Sequence, residues 1–166
     1  MIKFEGPLKL NESYNRYKTK GEFPVVFKSN IECQDTFKDT ICAVNAQNLK
    51  QCLSPYKESM VYMWSPHCSS DKCYSIAAVQ EYADRQGYEL FVVMEKYDHE
   101  KLSVQRMPKR PIYSIDHNFY DKELKFDRYR EKFIKELTGE KKIVASYLFF
   151  LNGKLSRYSL NIDLSK

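Results

Sequence analysis

The chain has no apolar run approaching the length of a membrane span, and its N-terminus lacks the apolar region of a signal peptide. It also lacks a concentrated basic stripe. Lys and Arg number 27 against 22 Asp and Glu, a formal charge of +5, and the two signs alternate along the chain, most visibly from Lys122 to Lys142. That pattern describes solvated helix faces and argues against a nucleic-acid partner. Paired Cys-x-x-Cys and His-x-x-x-His spacings are missing, so a structural zinc site is not expected. What remains is a chain of 166 residues, 43% of them hydrophobic, enough for one compact domain with a core of its own. Tyr outnumbers Phe, 13 to 10, so many rings are expected half-buried with the hydroxyl in water. The five cysteines are Cys33, Cys42, Cys52, Cys68 and Cys73. An odd count leaves at least one thiol outside any pairing, and the density leans towards an oxidising compartment.

The stretch Met60-Val61-Tyr62-Met63-Trp64-Ser65-Pro66-His67-Cys68-Ser69-Ser70-Asp71-Lys72-Cys73 organises the rest. It opens as a buried strand, breaks at Ser65-Pro66, and then offers a cysteine, a Ser-Ser-Asp cluster suited to a helix N-terminus, and a second cysteine. A thiol at such a junction faces backbone N–H groups and the positive end of a helix dipole, which favour its thiolate. Cys73 lies five residues on and can trap Cys68 as a disulfide if the opening turn adjusts. On an ideal helix a five-residue step turns side chains about 140° apart, so the first turn must open or start late. Cys68 is the expected nucleophile, and Cys73, read as lying inside the helix on its apolar stripe, the resolving thiol. His67 beside Cys68 would favour the thiolate when protonated and shuttle a proton when neutral; the plainer alternative is a surface residue following a proline.

Around that centre the chain reads in order as an extended arm over Met1 to Gly21, with a short strand near Leu8 to Leu10. Strands follow at Phe23 to Phe27 and Thr40 to Val44, with Cys33 and Cys42 flanking a hairpin-like return. A short helix capped by Asn45 carries Leu49, Cys52 and Leu53 on one face and stops at Ser54-Pro55. Cys33, Cys42 and Cys52 read as small buried apolar residues, with a disulfide between two of them as the alternative. After Cys68 a helix is expected to about Gln86, with Cys73, Ile76, Val79 and Ala83 facing inward and Gly87 ending it. Tyr88 to Met94 is a central parallel strand, completing a strand–helix–strand crossover. Asp98 caps a helix to about Arg106. A strand from Pro111 to Asp116, a helix from about Leu124 to Leu137, and strands Val144 to Leu151 and Leu155 to Leu160 joined by an Asn152-Gly153 type I′ turn complete the reading.

Trp64 stands four residues before Cys68, the spacing of the Trp-x-x-Trp-Cys signature of thioredoxin-like proteins, and Tyr147 to Leu155 resembles the strand–Asn-Gly–strand ending of that fold. The chain resembles the TlpA/ResA-like thiol-disulfide oxidoreductases of the bacterial cell envelope over roughly Tyr56 to Lys166. The resemblance implies an α/β, thioredoxin-like fold: a central mixed β-sheet flanked by helices, with an extra strand–helix insertion that includes Pro111 to Asp116. Residues 1–55 would be an N-terminal extension with short strands and one helix, packed on a core of residues 56–166. It further implies redox exchange through Cys68 and Cys73 with protein thiols or disulfides, a periplasmic or cell-envelope location with a cytoplasmic one as the alternative, and no cofactor or metal. Trp64, Pro66 and His67 would tune the site. So would Ala145 and Ser146, at the place where the family has a cis-proline. The chain departs from the family there, because a cis non-proline bond would cost about 3 kcal/mol and a trans bond is expected. It departs again in having Ser69-Ser70-Asp71-Lys72 in place of Gly-Pro between the cysteines.

Three other readings compete. Ser65-Pro66-His67-Cys68 places a hydroxyl three residues before the thiol, as peroxiredoxin sites do, but Val61 stands where that motif has a proline. Copper chaperones of related fold use two cysteines and a distant histidine, for which His99 and His117 are candidates. A non-catalytic binding or accessory module would keep Cys68–Cys73 as a structural clip.

Overall fold

The structure is a computed structural model that describes residues 25–27, 41–70, 73–120 and 126–165. The arm expected over Met1 to Gly21, the strand near Leu8 to Leu10 and Cys33 lie outside the described residues.

Two strands, β3 (Glu58–Trp64) and β4 (Glu89–Met94), are nearly continuous apolar runs, the pattern of strands covered on both faces. They pair in parallel, Met60 opposite Leu90 through Trp64 opposite Met94, and form the centre of a mixed sheet. Around them lie β1 (Val25–Phe27), β2 (Ile41–Val44), β5 (Ile112–Ile115), β6 (Tyr147–Leu151) and β7 (Lys154–Ser159). The strand order is β1-β2-β5-β4-β3-β6-β7, with only β6 and β7 antiparallel to their neighbours. The helices are α1 (Ala46–Leu53), α2 (Ile76–Gln86), α3 (His99–Ser103), α4 (His117–Tyr120) and α5 (Phe126–Thr138).

Alternation along each strand divides the core in two. Val61, Met63, Phe91, Val93, Leu148 and Phe150 face α1 and α5, while Met60, Tyr62, Leu90, Val92, Tyr147 and Phe149 face α2 and Leu102 of α3. The helices supply matching stripes at three- and four-residue spacing: Leu49, Cys52 and Leu53 on α1, Ile76, Val79 and Ala83 on α2, and Tyr129, Phe133 and Leu137 on α5. Burying each of these larger side chains stabilises the fold by about 2 kcal/mol. The result is α/β, with helices on both faces of a mixed sheet.

Several local expectations match the coordinates. Asn45 caps α1, its side chain accepting from Asn48 N. Gly87 ends α2 at φ 77°, and Asn152 and Gly153 both take positive φ in the β6–β7 turn, as a type I′ hairpin requires.

Other expectations need correction. β1 and β2 run parallel; the hairpin-like return expected between Cys33 and Cys42 falls mainly on residues outside the described ones. Residues 41–53, read from sequence as part of an extension with short strands and one helix packed on the core, supply β2 of the sheet and α1, which packs against the core. The helix expected from Cys68 begins only at Ile76, after both cysteines, with Ser75 as its cap. A disulfide between residues five apart is incompatible with regular helix over that span, so the first cap available lies beyond Cys73. The strand expected from Val144 starts at Tyr147, and Val144 is exposed. The helix capped by Asp98 stops at Ser103, and α4 was not anticipated.

Candidate functional site

β3 delivers the chain to the carboxyl end of the sheet at Trp64, whose carbonyl accepts the Glu95 N–H at 3.0 Å and fixes the exits of β3 and β4 together. Pro66 is buried under the loop that follows. The chain then turns outward twice: Cys68 N–H donates to Ser65 O at 3.2 Å, and Cys73 N–H donates to Ser70 O at 3.1 Å. These turns bring the two cysteines to a Cα–Cα distance of 5.8 Å, joined as a disulfide. Cys68 is exposed and Cys73 half-buried. Cys73 is therefore a loop residue outside α2, a correction to the expectation that it sits on the helix's apolar stripe. The helix dipole acts over its first turn, so α2 favours charge beside Cys73 more than at Cys68.

The loop is held at three points. Tyr62 on β3 donates its hydroxyl to Tyr74 O at 2.8 Å, directly after Cys73. Its ring stacks on Tyr147 with centroids 4.9 Å apart, and burial pushes the phenol up to about 12, so it remains a neutral donor. Ser75 Oγ and Gln105 Oε1 accept the N–H groups of Ala78 and Ile76 at the mouth of α2, each at 3.2 Å. On the outer side, His67 Nε2 lies 3.0 Å from Asp98 Oδ2, an ion pair when the imidazole is protonated. Asp98 simultaneously caps α3, its Oδ1 accepting from Lys101 N at 2.9 Å.

Beneath the loop, at the same end of the sheet, lies a buried charged link. Arg130 of α5 reaches Glu95 at 2.5 Å and donates to Ala145 O at 3.1 Å. Tyr129 OH donates to Glu95 O at 2.9 Å. Burial raises the Glu95 carboxyl above the ordinary 4.5, opposed by the Arg130 charge. This link fixes Ala145 just ahead of β6, while Ser146 O accepts Met63 N–H at 2.8 Å. The described residues contain no cis peptide bond, which covers Ala145-Ser146.

Of the residues singled out from sequence, Cys68, Cys73 and His67 come together on one exposed loop. Trp64 is only 5% exposed and packs in the α2-side core, which limits it to a supporting position under the loop. Ala145 and Ser146 sit at the same end of the sheet, with Ala145 buried. Val61 pairs with Phe91 and Leu148 in the middle of the sheet, where a proline would remove a ladder hydrogen bond. His99 and His117 begin α3 and α4, and their side chains are outside the description. Among the described residues no group of three or more His, Cys, Asp or Glu is placed to hold a metal. Cys42 is a buried thiol, as the packing reading has it, whereas Cys52, also buried, is disulfide-bonded, the alternative left open for these cysteines.

From sequence Asp98 reads only as a helix cap, Ser70 as part of a helix-start cluster and Tyr62 as a strand residue, while Glu95 and Arg130 carry no mark of a role at the site. A capping residue has no sequence mark for a second partner 31 positions away. Ser70 was visible inside the Cys68–Cys73 segment. No family model, curated protein or solved structure matches the chain.

Proposed function

We propose that this chain is a divergent thioredoxin-like thiol-disulfide oxidoreductase, of the TlpA/ResA-like kind, that exchanges disulfides with protein thiols through Cys68 and Cys73. The observation that carries the reading is the exposed Cys68–Cys73 disulfide at the carboxyl end of the central parallel strand β3. Further support comes from the order β3, thiol loop, α2, β4, followed by the antiparallel β6–β7 pair. Cys68 is the sulfur that a partner thiolate meets, being the more exposed of the two. A protonated His67 beside it favours the thiolate once the bond has opened. A cell-envelope location, where such exchange runs in an oxidising setting, belongs to the same proposal.

Thiol-dependent reduction of insulin or glutathione disulfide tests it. Cys68→Ser is expected to abolish exchange, and Cys73→Ser to accumulate mixed disulfides. Full activity in Cys68→Ser would end the proposal.

A second reading, a binding module in which the disulfide is a structural clip, is favoured by one observation: the trans Ala145-Ser146 bond where the related enzymes hold substrate against a cis-proline. The two separate on reduction potential. A clip resists the glutathione pool, and an exchanging pair equilibrates with it.

A further inference from the structure

The disulfide is contacted unequally by one hydroxyl. Ser70 Oγ lies 3.2 Å from Cys73 Sγ and 3.9 Å from Cys68 Sγ. The Cys73 N–H to Ser70 O bond holds the same two residues together through the backbone, so the hydroxyl is kept beside Cys73 by the turn itself. We propose that Ser70 is a further catalytic residue, whose hydroxyl stabilises the thiolate that Cys73 becomes when the Cys68 sulfur is attacked. This rests on the exchange reading above.

The step is a two-electron displacement. A partner thiolate attacks Cys68 Sγ, a new S–S bond forms between them, the Cys68–Cys73 bond breaks, and its electron pair goes to Cys73 Sγ. The partner thiol is oxidised into the mixed disulfide and Cys73 is reduced. No proton moves from Ser70, which donates a hydrogen bond throughout. A neutral disulfide sulfur is a weak acceptor and a thiolate a strong one, so the contact strengthens as negative charge develops on Cys73. That is the differential interaction that lowers a barrier. A leaving thiolate that is better stabilised also leaves faster. The 3.2 Å and 3.9 Å distances make Cys73 the favoured leaving group and direct attack to Cys68, which is also the sulfur on the open side of the loop. The positive end of α2, beginning just past Cys73 at Ile76, acts in the same sense.

The full chain, purified oxidised, is reduced by dithiothreitol at neutral pH while thiol release is followed by stopped flow. Ser70→Ala is expected to open roughly fivefold more slowly, the loss of an exposed hydrogen bond to a charge, and to poise at a more reducing potential. Ser70→Thr restores both. An unchanged rate and potential in Ser70→Ala overturn the proposal. A second measurement is independent of exchange: in Cys68→Ser, ultraviolet absorbance titration of the Cys73 thiolate is expected to move to higher pH when Ser70→Ala is added. If it does not move, Ser70 does not serve this thiolate. If it does move while the wild-type disulfide fails to turn over with any thiol, the contact stands and the exchange reading falls.

Discussion

At the amino ends of β3, β4 and β5, Arg110 lies 4% exposed against the rings of Tyr56 and Phe91, its guanidinium carbon 4.5 and 4.8 Å from their centroids. It hydrogen-bonds Glu89 and the Tyr56 hydroxyl. At the carboxyl ends of the same strands, the buried Glu95–Arg130 link sits below a loop whose own ion pair, His67–Asp98, has its imidazole 58% exposed. A guanidinium enclosed by aromatic rings and its partners has one arrangement, and its charge serves packing. A histidine that faces water and pairs with Asp98 at the edge of the loop can be exchanged without disturbing the core. The two ends thus use the same kinds of group for opposite purposes, and the difference is burial. The disulfide lies where the parallel strand β3 has ended and the chain must leave the sheet.

Three perturbations sharpen or break this contrast. The largest effect is expected from Arg110→Ala, which removes both ring contacts and leaves Glu89 to rehydrate. It should cost about 3 kcal/mol in urea unfolding without changing disulfide exchange. A loss below about 0.5 kcal/mol would show the amino end to be no more structural than the loop.

An intermediate effect is expected from Glu95→Gln. Because burial raises this carboxyl above its ordinary value, the folded chain binds the proton more tightly than the unfolded chain. That contribution to stability is complete below the ordinary 4.5 and is lost as pH rises through the higher folded value. Glu95→Gln should flatten that fall, read from urea midpoints across the mildly acid range. An unchanged slope would mean that Glu95 is not the group responsible.

The smallest effect is expected from Asp98→Asn. Asparagine keeps an acceptor for Lys101 N, so stability should stay within about 0.5 kcal/mol. Opening of the disulfide by thiols should change only two- to threefold, roughly, and the difference from wild type should shrink as salt is raised. A salt-independent change would point to altered loop shape rather than lost charge.

Much of the framework was legible in the chain alone. The apolar runs of β3 and β4, the Asn45 cap, the Gly87 stop and the Asn152-Gly153 turn are local signals, each set by a few neighbouring side chains and by the φ angles they permit. The two cysteines and the adjoining histidine could be nominated for the same reason. The parallel pairing of β1 with β2 and the entry of residues 41–53 into the main sheet depend on partners far along the chain, such as Cys42 opposite Tyr113. The late start of α2 had its cause in view, since five residues of helix cannot bring two sulfurs together, yet only the formed disulfide decides that the helix yields. Asp98 beside His67 and the Ser70 hydroxyl nearer one sulfur than the other are facts of three-dimensional placement. Sequence supplies such groups but cannot set the distances between them, because those distances follow from how strand ends converge when both faces of the sheet are covered.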